Sequence, residues 1–164
     1  MNWERQGSEL IKFEIDGLIK PKVRPRFNGE KVYLPEDYRR WREIATIEIV
    51  RQAREKGLEF PIKEAIYLGI EYHGHGQGDA DNVAGAIMDT LVQARIVEND
   101  NLKHIRGLNI EFYEARLKEA RAIIKIYKID KKGRQYKRKD TTCENKNHLR
   151  VGKRNQNHHL TIEE

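Results

Sequence analysis

Cysteine is nearly absent: Cys143 stands alone in 164 residues, which excludes an intrachain disulfide framework and suits a reducing compartment. No apolar run approaches the ~20 residues of a membrane span. The opening Met1-Asn2-Trp3-Glu4-Arg5-Gln6-Gly7 has no apolar stretch behind a basic start, so no secretory signal is expected either. A cytoplasmic protein with no membrane partner is therefore the expectation. Length is short as well: 164 residues suit one domain with a tail and leave little room for a second catalytic module.

Charge of one sign is also missing from most of the chain. Of the net +6, residues 1–129 hold 22 Lys or Arg against 21 Asp or Glu, whereas residues 130–164 hold ten against five. The excess thus sits in a C-terminal segment that follows neither a helical nor an alternating period. That segment is expected to be a flexible basic tail, either solubilising or an arm for nucleic acid. Within it Cys143, His148, His158 and His159 have spacings that match no familiar zinc site.

Residues 1–129 carry the periods of a folded domain. Ile11, Phe13 and Ile15 alternate with Lys12, Glu14 and Asp16 up to Gly17, which predicts a strand. A proline-interrupted extended stretch from Lys20 to Tyr33 follows, with a turn at Asn28-Gly29. Pro35 opens a helix that Gly57 closes, with Tyr38, Trp41, Ala45 and either Ile44 or Ile49 on its apolar side. Ala65–Tyr72 reads as a strand, and a loop over 73–78 leads to a second helix running to about Arg95, buried through Val83, Ile87, Leu91 and Ala94. Strands near Ile105–Tyr113 and Ala120–Ile129 read as a hairpin around Lys118-Glu119. The expected class is α+β, a small mixed sheet with two main helices.

The residue types that carry chemistry concentrate at Asp79-Ala80-Asp81-Asn82 and at Glu98-Asn99-Asp100. Two carboxylates two residues apart at a strand-to-helix corner can aim into one small volume, where the helix amides and dipole favour them. Hard divalent cations take such oxygens together with water and phosphate, which is the equipment for phosphodiester hydrolysis. Helix capping by Asp79 or Asp81 explains the same residues without any function. Asp81, Gly85 and Asp89 share one helix face, expected to point outward. Asp100 follows the far end of the helix, so it serves the site only if the chain doubles back or if a second subunit supplies it. In Lys20-Pro21-Lys22-Val23-Arg24-Pro25-Arg26, an extended backbone puts all four cations on one side. That row suits a phosphate backbone, or alternatively guards an exposed edge. His73 and His75 precede the acidic corner and are weaker candidates for touching phosphate.

In order, Gly17-Leu18-Ile19-Lys20-Pro21-Lys22-Val23-Arg24-Pro25-Arg26-Phe27, then Asp79-Ala80-Asp81-Asn82, then Asp89 and Leu91, then Asn99-Asp100 resemble the RusA-like Holliday junction resolvases. The likeness spans about residues 10–129. It implies a homodimer that cuts four-way or branched DNA by dual incision with Mg²⁺, Mn²⁺ substituting, and with no small-molecule cofactor. It implies Asp79, Asp81 and Asp100 as catalytic metal ligands. Asn82 and Asp89 are then supporting residues, with DNA contacts from Lys20, Lys22, Arg24, Arg26 and Lys103. The sequence departs from the family where a lysine usually follows the motif's Asn by three residues: here stands Gly85. It also has Asn99 where a second adjacent acid is common. The first departure favours an alternative, a branched-DNA-binding protein that cuts poorly. A glycosyltransferase using Asp-x-Asp is a third reading, for which 164 residues hardly accommodate the nucleotide-binding domain.

Overall fold

The structure, a computed structural model, describes residues 8–76 and 78–129; the expected tail and its Cys143, His148, His158 and His159 lie outside the described residues. Strand β1 is Glu9–Asp16, its alternation burying Ile11, Phe13 and Ile15. It stops at Gly17, whose φ of +89° suits a residue without a Cβ. Beyond an irregular stretch, β2 (Arg26–Phe27) and β3 (Val32–Tyr33) form a small antiparallel ribbon. The Asn28 side-chain oxygen accepts from the Glu30 and Lys31 amides at 3.1 and 2.9 Å and so holds the turn.

Helix α1 spans Glu36–Glu55, with Pro35 just before it and Glu36 and Asp37 in its first turn, where acids suit the helix dipole. Tyr38, Ala45, Ile49 and Ala53 are buried, whereas Ile44 is 61% exposed, so the apolar stripe runs through Ile49. Strand β4 covers Ile66–Gly74, two residues beyond the expected end, which puts His73 inside it. Helix α2 is Ala80–Gln93, and Val83, Ile87, Leu91 and Ala94 are all buried as the 3.6-residue period requires. Strands β5 (Ile105–Glu114) and β6 (Arg121–Lys128) complete the fold around a short 3-10 turn at Leu117–Glu119.

The four long strands form one mixed sheet in the order β1-β6-β4-β5, antiparallel except for the parallel pair β4–β5. The fold is therefore α+β with a mixed sheet and two helices. The expected β5–β6 hairpin does not exist. β6 is a central strand whose Ala122, Ile124 and Ile126 are all buried, and β4 lies between it and β5. The short link crosses the end of β4 instead, where Ala115 N–H donates to the Gly74 carbonyl at 3.0 Å. One face of the sheet, with Ile11, Phe13, Ile66, Leu68, Ile70, Ile124 and Ile126, forms the core with the helices. β4, α2 and β5 make a single parallel crossover. It sends α2 back along β4, so the start of α2 and the start of β5 lie at opposite ends of the sheet.

Candidate functional site

Asp79 is the residue that caps α2, with extended backbone angles of −77° and 148°, yet its carboxylate makes no capping hydrogen bond. The backbone alone starts the helix, through Val83 N–H donating to the Asp79 carbonyl at 3.0 Å. Among the described residues the side chain receives only a long contact from the Asn82 amide, 3.4 Å. Asp81, in the first turn, is exposed and has no hydrogen bond or ion pair among the described residues. Capping therefore does not account for this Asp-x-Asp. Among the described residues Asp81 is spare and Asp79 holds only the long Asn82 contact, and both stand where the helix amides favour negative charge.

The basic segment is fastened directly over this corner. Pro21 packs on Gly78, so closely that a Cβ added there would lie 2.5 Å from Pro21 Cγ. Lys22 N–H donates to the Asn82 carbonyl at 2.9 Å. The Lys22 side chain then runs along α2 across Gly85, where an added Cβ would stand 3.1 Å from its Cδ. It ends with Nζ on Asp89 Oδ1 at 3.0 Å. Gly85 is consequently buried, not outward and open as the helix period suggests. Asp89 is likewise half-hidden: it also accepts from the Tyr38 hydroxyl at 3.3 Å. Burial, and then the Asp89 charge, push the Tyr38 hydroxyl up to about 12. Periodicity locates the side of α2 turned away from the sheet, but it carries no information that a strap from far upstream lies across that side.

Lys20, Lys22, Arg24 and Arg26 are all exposed, while Pro21 and Val23 between them are half-buried, as an extended strap predicts. Lys20 pairs with Asp37 at 3.5 Å. Next on the chain, the β2–β3 ribbon carries Phe27 and Val32, each 68% exposed, and Tyr33, 41% exposed. The sequence signal for these was present, apolar residues flanking an Asn-Gly turn among cations, but it does not distinguish a projecting ribbon from a packed one.

Asp100 is not brought to Asp79 and Asp81. Ile62 pairs with Val97 in an isolated parallel bridge, which fixes the exit from α2 at the Ile66 end of β4. Asp100 follows in an exposed loop shaped by the Asn99 and Asn101 side chains, with Lys103 exposed nearby. With Asp89, Arg42, Val92 and Gln93 it lines an open hollow of about 470 Å³. Among the described residues no three His, Cys, Asp or Glu side chains gather as a metal site. The chain does not double back, so one subunit alone does not unite the three carboxylates. His73 and His75 stand apart as well. His73 lies on the sheet face opposite the helices, stacked on Tyr113 at 4.8 Å between ring centroids. His75 borders a hollow with Glu114, Arg116 and Glu119. Neither is placed as a ligand beside Asp79.

Spare carboxylates at a helix start, with a cationic strap laid beside them, form the kind of site that handles phosphodiesters. The comparison with protein families makes this specific. A model described as Endodeoxyribonuclease RusA matches residues 16–127, and the chain belongs to that family; it is an endonuclease of the hydrolase class. No curated protein matches the chain closely enough to count as a relative. No helix among the described residues is long and apolar enough to cross a membrane.

Proposed function

We propose that this protein resolves Holliday junctions and related branched DNA by paired, divalent-cation-dependent phosphodiester hydrolysis, acting as a homodimer in recombination and repair. The observation that carries the reading is that Asp79 caps α2 without a capping bond from its carboxylate, which takes a 3.4 Å contact from Asn82, next to an Asp81 that has no partner among the described residues. Hard oxygen donors with nothing else to bind fit Mg²⁺, or Mn²⁺ in its place. A cation held there supplies charge against the phosphate and lowers the pKa of a water.

The protein's own groups do the rest. Asp79 and Asp81 hold the cation and orient it, and Asn82 steadies Asp79. Arg24, Arg26, Lys20 and Lys103 contact phosphates and set the duplex arms in place. Lys22 occupies the helix face where the family's usual lysine would stand, and Asp89 anchors its ammonium. Phe27 and Tyr33 offer aromatic faces to bases unstacked at the branch. The tail at 130–164 adds a sequence-independent electrostatic arm. Asp100 joins the site from the second subunit.

The test uses a labelled four-way junction with Mg²⁺. Asp79→Asn and Asp100→Asn each abolish cutting while DNA binding persists, since losing one ligand charge also lessens repulsion of the phosphates. Mixing the two variants and allowing subunit exchange restores nicking, because one site in each mixed dimer keeps both carboxylates. A single variant that cuts at the normal rate removes that residue from the site. A mixture that stays inactive refutes the shared arrangement.

A further inference from the structure

An apolar hollow of about 180 Å³ opens beside the acidic corner. Gly78 and Ala80 both line it, so Asp79 sits between two lining residues. Buried Tyr72 and Val83 line it as well, together with Gly76 and the half-exposed Phe112. The Phe112 ring is braced against Tyr72, 5.7 Å between centroids. Among the described residues no charged side chain lines the hollow, and the Tyr72 hydroxyl is already engaged by the Ile19 backbone. The β2–β3 ribbon contributes nothing to it.

Pockets for drug-sized ligands measure about 300–1,000 Å³. This one is smaller, with room for one flat ring system. Its surroundings are of the opposite character. Pro21 packs on Gly78, which sets the exposed Lys20 and Lys22 on either side of the packed residue. Asp79 and Asp81 follow directly on the chain. An apolar slot for one ring, edged by cations and by a candidate cation site, matches the two halves of a nucleotide: a base with apolar faces and a charged phosphate. A phosphate held at the corner has a neighbouring base within reach of the hollow. At a branch point a base leaves its stack at less cost than inside a duplex.

We propose that this hollow is a nucleobase subsite: the base next to the phosphate held at Asp79 and Asp81 leaves its stack and lies against Phe112. The place of the phosphate rests on the nuclease reading; the seating of a base can be measured without cutting. The lining offers faces rather than hydrogen bonds, so it takes a base by shape and stacking and not by its Watson–Crick edge.

The fluorescent base 2-aminopurine, which brightens on leaving a stack, is placed in turn at each nucleotide around the branch of a four-way junction. Full-length protein is added with Ca²⁺ in place of Mg²⁺, so that the DNA stays whole. Binding of the normal protein raises fluorescence at one position. Gly76→Leu removes the rise: a Cβ there meets the Phe112 ring at an ordinary 3.7 Å, so the leucine is accommodated and fills the hollow. With Mg²⁺, Gly76→Leu and Phe112→Ala each cut the intact junction about tenfold more slowly, the worth of one stacked base. On a junction that is abasic at the responding position, both cut at the normal protein's rate, because no base is left to seat. Slow cutting of the abasic junction too would mean that Gly76 and Phe112 serve the fold or a subunit contact, and overturns the subsite. Fluorescence that stays flat at every position also overturns it, whether or not the protein cuts. A rise at one position in a protein that cuts nothing with Mg²⁺ leaves the subsite standing and overturns the nuclease reading.

Discussion

Gly85 and Lys22 form a coupled pair whose energetics can be worked out from their contact. Glycine inside a helix costs about 1 kcal/mol relative to alanine, so Gly85→Ala should stabilise α2 by that amount if its surroundings were open. They are not: the new Cβ would lie 3.1 Å from Lys22 Cδ, closer than ordinary van der Waals contact, and the lysine stem must shift by a few tenths of an ångström. The shift loosens an ion pair in which Lys22 is 46% and Asp89 21% exposed. Pairs this open to solvent contribute about 1 kcal/mol at most. The expected gain from Gly85→Ala in the normal protein is therefore between about 0 and 0.5 kcal/mol. In a Lys22→Ala background the obstacle is gone, and the same substitution should gain the full ~1 kcal/mol. Urea denaturation of the four proteins closes the cycle. Equal gains in both backgrounds, within about 0.3 kcal/mol, would show that the lysine stem does not lie on Gly85. Gly85→Lys should be worse than alanine in both stability and cutting, because two long side chains compete for one groove.

The Tyr38 hydroxyl gives a pH dependence with a definite sign. Its folded value near 12 lies above the ordinary 10, so its stabilising effect is complete below pH 10 and lost as pH rises toward 12. Urea midpoints should fall across that window more steeply than in Tyr38→Phe; parallel curves would exclude Tyr38 as the source. Removing residues 130–164, which hold ten basic against five acidic residues, should weaken DNA binding and flatten its dependence on salt. Identical salt slopes with and without the tail would mean that it does not touch DNA.

The elements with a strong internal period were legible in the sequence. α1, α2, β1 and β4 all follow from where Ile, Val, Leu and Phe recur, and most residues that those periods select are buried, although Trp41 is only partly so and Gly85 is buried against its period. Partner choice was less legible. The pattern of β6 reveals a strand but not that both its edges are occupied, and proximity in sequence made a β5–β6 hairpin the simplest expectation. At the site, Asp79 and Asp81 stand out through the helix start they occupy. The role of Gly85 could not be read, because it depends on a side chain that folds over α2 from residue 22. Asp100 was ambiguous for a geometric reason: sequence gives the length of α2 but not the direction taken by the chain beyond it.

The strap over α2 also bears on how the protein folds. The contact between Lys22 and Asp89 closes a loop of 67 residues, which local helix formation cannot achieve. Closing so long a loop carries an entropic cost that rises by about 0.6 kcal/mol with each doubling of length. Helix α2, 14 residues long and without a capping bond from the Asp79 side chain, depends on tertiary packing rather than on its own ladder. The two acidic side chains take their places when α2 packs on the sheet, and the cations beside them when residues 20–26 settle over it. A chain with α2 packed and the strap detached would bear a bare acidic corner that repels DNA, and affinity for the polyanion would appear with closure of the strap.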